Sequence, residues 1–266
     1  MAAYVLVPGA WLGGWAWRDV AARLRAKGHD VFPITLTGLG ERVHLARPEV
    51  DLETHIADVV NTIQWNDLDD VILAGHSYAG IVITGVADRI PDRIQQLVYV
   101  DSAPLADGMA MTDLYPPDAL AALRQTVNES GEGWLFPFPG WEALAEDTSI
   151  AGLGEREQAA IAARATPQPW ATYTQPLRLE HADAEAAPYR QVLIACDEMR
   201  GLVAAGVPQI AFMAAPPWQY LELDTGHWPM FSAPAELGDM LDGLIADPEG
   251  DSPTSARSMN SRPGPT

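Results

Sequence analysis

Short apolar runs alternate along the chain with segments in which apolar residues recur every three or four positions. Such runs are typical of strands buried on both faces of a parallel sheet, and the segments between them are typical of amphipathic helices. The clearest helix is expected over Leu52–Trp65, one face of which carries Leu52, Ile56, Val59, Val60 and Ile63. The pattern predicts an α/β fold with a six-stranded, mainly parallel sheet flanked by helices.

The strands of this sheet are expected at residues 4–7, 31–34, 71–75, 97–101, 192–196 and 219–223. Further helices are expected at residues 17–27, 78–88 and 234–246, the first of them ending at Gly28. Trp17 and Trp65 lie on predicted helices, and we expect both to fill the core.

Residues 104–189 interrupt this rhythm, since they contain helical stretches and a proline–aromatic segment at 134–141 but no convincing strand. An insertion between two sheet strands is most simply a helical lid over the carboxyl edge of the sheet, before its fifth strand. We therefore expect an α/β core of residues 1–103 and 190–246 and a lid of residues 104–189. Residues 247–266 are rich in Pro, Ser and Gly, which predicts a disordered tail.

Composition narrows the class of protein. The 266 residues are enough for one domain with a large core. The net charge of −20 argues against nucleic acid and anionic membranes as partners. The single cysteine, Cys196, excludes an internal disulfide framework, and we expect it to be a small buried hydrophobe. No apolar run approaches the roughly 20 residues of a membrane helix, and the N-terminus is interpreted as a strand rather than a signal peptide, so we expect a cytoplasmic protein.

The strongest chemical signal is the segment GHSYAG at residues 75–80, between a predicted buried strand and a helix. A nucleophile elbow requires small residues two positions before and after its serine, and Gly75 and Ala79 occupy those positions around Ser77. The turn would expose the Ser77 hydroxyl above the sheet and direct the Tyr78 N–H toward an oxyanion. The alternative is an ordinary turn serine.

Two further loops complete the predicted site. His227 follows the last predicted strand, in the loop that must supply a general base for such a serine. The loop after the first strand contains Pro8, Gly9 and Ala10, and we assign the second oxyanion donor to the Ala10 N–H. His76 is expected to be a packing element inside the elbow.

These motifs resemble the α/β-hydrolase superfamily, and most closely its small-esterase branch of EstC-like esterases, plant methylesterases and hydroxynitrile lyases. The resemblance is carried by PGAWLGGWAW, LTGLGERVHL, GHSYAG, PQPWATYTQPL and TGHWPM, and it spans about residues 4–246. It implies a Ser-His-acid triad, two oxyanion N–H donors, a helical lid, and no metal or cofactor. Two departures stand out. Pro8 replaces the usual histidine after the first strand, and Trp228 replaces the lysine of the lyases, which disfavours a lyase of that type.

The triad acid has more than one candidate. In this branch the aspartate usually follows the fifth strand, where the present chain has Asp197 and Glu198 and where the usual position falls on Met199. Other hydrolases take the acid from the end of the preceding strand, where Asp101 lies. A carboxylate at either place can orient the imidazole. We lean toward Asp101 and keep Asp197 and then Glu198 as alternatives.

The expected reaction is hydrolysis of a carboxylic ester or lactone of a medium-sized apolar or aromatic molecule through an acyl-enzyme. Candidate substrate-binding residues are Trp11, Tyr78, Trp134, Phe136, Trp141, Trp218 and Trp228. The expected partner is thus a small molecule, with no cofactor and no metal, and a homodimer is the assembly considered. Two alternatives remain: a non-hydrolytic enzyme of the same fold, such as a cyclase, decarboxylase or lyase of aromatic or polyketide metabolism, and a ligand-binding protein with a relic triad.

Overall fold

A six-stranded parallel sheet forms the centre of the protein, as predicted. The computed structural model describes residues 1–181 and 188–245. Its strands are β1 (Ala3–Val7), β2 (Asp30–Pro33), β3 (Val71–His76), β4 (Ile94–Val100), β5 (Leu135–Phe136), β6 (Gln168–Pro169), β7 (Arg190–Ala195) and β8 (Gln219–Glu222). The main sheet has the order β2-β1-β3-β4-β7-β8, and all of its neighbouring strands are parallel.

Helices cover the sheet and fill the long connection between β4 and β7. They are α1 (Arg18–Ala26), α2 (Leu52–Trp65), α3 (Ala79–Arg89), α4 (Pro117–Ser130), α5 (Trp141–Asp147), α6 (Glu155–Ala162), α7 (Ala171–Thr174), α8 (Asp197–Ala204), α9 (Pro208–Ala211), α10 (Pro229–Ser232) and α11 (Pro234–Gly243). The bounds of α2 are those predicted, since its apolar face is periodic and Asp51 caps its first turn by accepting a hydrogen bond from the Thr54 N–H.

The two faces of the sheet bury separate cores because side chains alternate along each strand. In β1, Val5 and Val7 pack in the core that also holds α2 and α3. Tyr4 and Leu6 pack on the opposite side, against the core formed with α1 and α11. Burial on both faces explains why the strands appear in the sequence as continuous apolar runs.

The expectation for the two helical tryptophans is half right. Trp17 is fully buried beside α1, whereas Trp65 at the end of α2 is 85% exposed. Trp65 projects from the side of α2 opposite Leu52, Ile56 and Ile63, so it has no core to enter.

The insertion, residues 104–189, contains α4 to α7, and residues 182–187 of it lie outside the described part of the chain. Contrary to the expectation that it holds no strand, β5 and β6 pair as a short antiparallel ladder. Each strand has two residues, too short to give a recognisable sequence pattern. The predicted tail at residues 247–266 also lies outside the described residues. Within the described residues, no helix is long and apolar enough to cross a membrane.

Candidate active site

Ser77 lies in a sharp turn between β3 and α3. Its φ of 52° is in the left-handed region that non-glycine residues rarely adopt. Gly75 permits the turn, because a Cβ there would lie 2.9 Å from the Ile83 side chain and 3.0 Å from the Ala79 carbonyl oxygen. The strained geometry holds the serine at the carboxyl end of the sheet.

Three side chains meet at this edge of the sheet. Nε2 of His227 lies 2.8 Å from the Ser77 hydroxyl, and Nδ1 of His227 lies 2.6 Å from Oδ2 of Asp101. Because a carboxylate only accepts, Nδ1 carries the proton and Nε2 accepts from the Ser77 hydroxyl. The arrangement gives the serine a base and gives that base an orienting carboxylate.

Asp101 follows β4 directly and has a φ of 44°. Its carboxylate is buried, and Oδ1 accepts hydrogen bonds from the N–H groups of Cys196 and Met199 at the start of α8. The start of α8, where the resemblance implied the triad acid, therefore holds the Asp101 carboxylate in place.

The other two carboxylate candidates differ in position. Asp197 accepts a hydrogen bond from Ser149 and pairs with Arg200, and His227 is not among its partners in the described structure. Oε2 of Glu198 lies 3.5 Å from Nδ1 of His227 and is buried without a hydrogen-bond partner among the described residues. The structure thus brings Asp101 and Glu198 to the histidine and leaves Asp197 apart.

These carboxylates control the protonation of His227. Burial disfavours the charged imidazole, but the hydrogen bond from His227 to Asp101 and the negative charges of Asp101 and Glu198 outweigh that effect. The pKa of His227 is therefore raised above the ordinary histidine value. Burial is also the main reason that the pKa of Glu198 is raised.

Two backbone N–H groups flank the serine without acceptors. Ala10 and Tyr78 are both buried, and within the described hydrogen bonds neither backbone N–H has a partner. Gly9 brings the first of these loops against the elbow, since a Cβ at Gly9 would lie 3.2 Å from that of Ser77. Buried unpaired N–H groups are rare in proteins, and such donors are suited to an oxyanion.

The comparisons with known proteins agree with this geometry. A family model described as the alpha/beta hydrolase family matches residues 4–239. The chain belongs to the alpha/beta hydrolase family. This result confirms the resemblance inferred from the sequence motifs.

Two relatives named as esterases and one solved structure are similar to this hydrolase over most of its length. The carbendazim hydrolyzing esterase of Nocardioides sp. (strain SG-4G) is 37% identical over 92% of this chain and 100% of its own length. Methylesterase 7 of Arabidopsis thaliana is 26% identical over 90% of this chain and 94% of its own. One similar solved structure is an extracellular α/β-hydrolase from a Paenibacillus species, which is described as a structural and functional homologue of tobacco salicylic acid binding protein 2. It aligns with a TM-score of 0.77 and 26% identity, and the alignment covers 91% of this chain and 98% of that one.

In the structure of this hydrolase, two residues beside Ser77 make hydrogen bonds that the sequence did not indicate. Burial and the adjacent His227 keep the pKa of His76 well below its ordinary value, so its neutral ring donates from Nε2 to the His227 carbonyl oxygen at 2.6 Å. The Ser102 hydroxyl donates to the Ser77 carbonyl oxygen. His76 lies inside the recognised motif, but nothing in the sequence shows what its ring contacts.

Tyr78 is anchored through its side chain. Its hydroxyl donates to Nδ1 of His55, whose Nε2 donates to the Thr37 carbonyl oxygen, both at 2.9 Å. Burial lowers the pKa of His55 to about 4, so the ring is neutral near pH 7 and can accept from the tyrosine. These buried hydrogen bonds fix Tyr78, the residue whose backbone N–H was predicted to be an oxyanion donor.

Most of the predicted substrate-binding aromatics lie in one continuous series of rings, which we call the aromatic belt. Successive ring centroids are 5.0 to 5.7 Å apart in the order Tyr78, Tyr173, Phe136, Trp11, Phe138, Trp141, Trp228 and His227. The belt runs from the residue after Ser77, through the insertion, to the histidine. Phe136 and Trp228 are nearly fully buried, whereas Trp11 and Trp141 are half-buried.

Trp218 and Trp134 are not part of the belt. Within the described ring contacts, Trp218 meets Tyr99 and Phe212. Trp134 is half-buried, and its carbonyl oxygen accepts from the Trp170 N–H. Among the described ring contacts, these two predicted residues therefore do not join the series that runs from Tyr78 to His227.

One group of side chains among the described residues is compact enough to hold a metal ion. Atoms of Asp101, Glu198 and His227 lie within 4.8 Å of one another. Nδ1 of His227 and Oδ2 of Asp101, however, already face each other at hydrogen-bond distance. An ion would have to displace the shared proton and separate the two atoms, so this geometry fits a hydrogen-bonded pair better than a metal centre.

Proposed function

We propose that this protein is a serine hydrolase of carboxylic esters in which Ser77 is the nucleophile, His227 the general base and Asp101 the acid that orients the base. The observation that carries the proposal is the continuous hydrogen-bonded series from the Ser77 hydroxyl through the His227 imidazole to the Asp101 carboxylate. The class of reaction is supported by relatives named as esterases, which match this chain over about nine-tenths of its length.

The mechanism has two halves. Nε2 of His227 takes the Ser77 proton while the serine oxygen attacks the ester carbonyl carbon, and the Ala10 and Tyr78 N–H groups stabilise the resulting oxyanion. The imidazolium then protonates the departing alcohol, which leaves an acyl-enzyme. Water activated by His227 attacks the acyl group and releases the acid and the free serine. Balancing these steps requires no cofactor.

We infer that the substrate has an apolar or aromatic part of medium size. The aromatic belt supports this inference, because rings that extend from beside the serine to beside the histidine provide flat apolar contacts. Carbendazim and methyl esters are the first substrates to test, given the names of the relatives. The insertion serves as a lid in this proposal, since it contributes half of the rings of the belt.

For the setting we infer a bacterial cytoplasm. One lysine among 16 basic residues is a composition expected from a GC-rich genome, and the protein has a single cysteine. The proposed partner is the small-molecule ester or lactone, and sedimentation of the purified protein distinguishes a homodimer from a monomer.

Turnover of p-nitrophenyl esters tests the reaction. Ser77→Ala removes the nucleophile and is expected to abolish release of p-nitrophenol above background. Ser130→Ala, at the end of α4, provides a control serine outside the site and is expected to retain full turnover. Equal turnover by wild type and Ser77→Ala would exclude the proposed mechanism.

A further inference from the structure

Trp11 directly follows the residue that carries one proposed oxyanion donor, Ala10, and its backbone is strained. Its φ of 63° lies in the left-handed region, which is unfavourable for a bulky side chain. A residue persists in this conformation only when surrounding contacts hold it there. The position of the Ala10 N–H therefore depends on what holds Trp11.

The insertion holds Trp11 through hydrogen bonds with three of its residues. Its backbone N–H donates to Oε1 of Gln168 at 3.1 Å, and its indole Nε1–H donates to the Phe136 carbonyl oxygen at 3.1 Å. Its carbonyl oxygen accepts from the Thr166 N–H at 3.0 Å. All three partners lie in or next to the β5–β6 ladder.

Gln168 is the partner best suited to fix the loop. It is fully buried, and its Nε2 donates to the Thr172 hydroxyl at 3.0 Å. The Thr172 hydroxyl in turn donates to the Pro169 carbonyl oxygen at 2.7 Å. The Gln168 amide is therefore fixed at both ends, and its oxygen offers the Trp11 N–H one defined position.

We propose that Gln168 is a positioning residue for the oxyanion hole, which holds the Ala10 N–H in its working orientation by accepting the hydrogen bond of the Trp11 N–H. This inference rests on the proposed function, since it assigns the Ala10 N–H to the oxyanion. It makes the docked insertion a condition of catalysis as well as a cover over the substrate. A displacement of the β5–β6 ladder would release Trp11 and remove a donor from the transition state.

Loss of the hydrogen bond between Gln168 and the Trp11 N–H should lower kcat. An oxyanion donor acts when the carbonyl oxygen becomes negative, so a misplaced donor slows acylation while leaving ground-state binding nearly unchanged. Removal of a whole donor lowers kcat about 10²- to 10³-fold in other enzymes. Because the Ala10 N–H would be displaced and not deleted, we expect a loss of roughly 10- to 100-fold.

Gln168→Met tests the proposal, since methionine has a similar length and no acceptor for the Trp11 N–H. The matched control is Gln175→Met. Gln175 also joins the insertion to the core by its amide, through the Glu53 N–H and the Asp51 carboxylate at the start of α2, and is half-buried. Rates with a p-nitrophenyl ester are expressed per active site titrated with an organophosphate, so that unfolded protein does not contribute.

Gln168→Met is expected to lower kcat about 10- to 100-fold and to leave KM within about threefold of wild type. The affinity for a boronic acid inhibitor should fall in parallel, because the tetrahedral boronate adduct occupies the oxyanion hole. Gln175→Met should keep kcat within about threefold. Equal kcat in the two variants overturns the proposal. If Gln168→Met does not fold, Thr172→Val removes the hydroxyl that fixes Gln168, and an unchanged kcat per site in that variant also overturns it. Turnover by Ser77→Ala would instead refute the proposed function, so the two failures are distinguishable.

Discussion

Asp101 reaches His227 because the chain turns sharply at the end of β4 and because α8 begins beside it. The N–H groups of Cys196 and Met199 hold one carboxylate oxygen, which leaves the other for the histidine. A buried carboxylate needs such partners, since an unpaired buried charge is costly. The start of α8 also carries Asp197 and Glu198. Asp101, Asp197 and Glu198 therefore lie in the same region and differ in their contacts.

Asp101→Asn and Asp197→Asn separate the roles of two of these carboxylates. An amide in place of the Asp101 carboxylate would favour the wrong tautomer of His227, and we expect kcat to fall by on the order of 10⁴-fold, as in other Ser-His-Asp enzymes. Asp197→Asn removes the same charge from the same region, but its carboxylate contacts Ser149 and Arg200. Its kcat should remain within a few-fold of wild type. Comparable losses in both variants would contradict the assignment of Asp101.

Glu198 should control the pH range of activity. Protonated His227 cannot accept the Ser77 proton, so kcat/KM is expected to fall as the pH drops through the raised pKa of His227. Glu198→Gln removes a negative charge that favours the protonated ring. The acid limb of the kcat/KM profile should therefore move to lower pH, and a profile that coincides with wild type would show that Glu198 does not act on the histidine.

Ser77 and His227 could be predicted because short motifs place them between elements of known order. The triad acid could not be predicted, since the sequence shows only that carboxylates follow both β4 and β7. The choice between Asp101, Asp197 and Glu198 depends on a positive φ at Asp101 and on hydrogen bonds across the chain. Gln168 was inside a recognised motif, but its partner Trp11 lies far away in the sequence.

At the scale of elements, α2 could be predicted from the periodicity of its apolar residues. Its bounds and its buried face follow from the apolar repeat and the Asp51 cap. The insertion was harder, because β5 and β6 are too short for a period and pair only through tertiary structure. The exposed Trp65 shows that a large apolar residue on a helix belongs to the core only if it lies on the periodic face.

Chemical denaturation of two α2 variants tests this interpretation. Ile63 is fully buried, so Ile63→Ala should lower the free energy of unfolding by about 2–5 kcal/mol. Trp65 is mostly exposed, and Trp65→Ala should change the free energy of unfolding by less than about 0.5 kcal/mol. A loss of several kcal/mol in Trp65→Ala would place that ring in a packed environment.

At the scale of the whole molecule, parallel pairing brings the site together. The loops after β1, β3, β4 and β8 meet at one edge of the sheet because parallel strands share their direction. The insertion then contacts the outer loops. The Ser149 carbonyl oxygen accepts a hydrogen bond from the His227 N–H, and Oε1 of Gln168 accepts one from the Trp11 N–H. The six strands and their parallel arrangement could be predicted from the sequence, but these contacts could not, since they join residues distant in sequence.

Labelling with a fluorophosphonate probe, followed by mass spectrometry of the modified peptide, tests directly whether Ser77 is the reactive nucleophile. We expect one label per chain, located on Ser77. We further expect that His227→Ala slows labelling strongly, because the serine then lacks its base. A label on another residue, or an unlabelled wild-type enzyme that still hydrolyses esters, would contradict the assignment of Ser77 as the nucleophile.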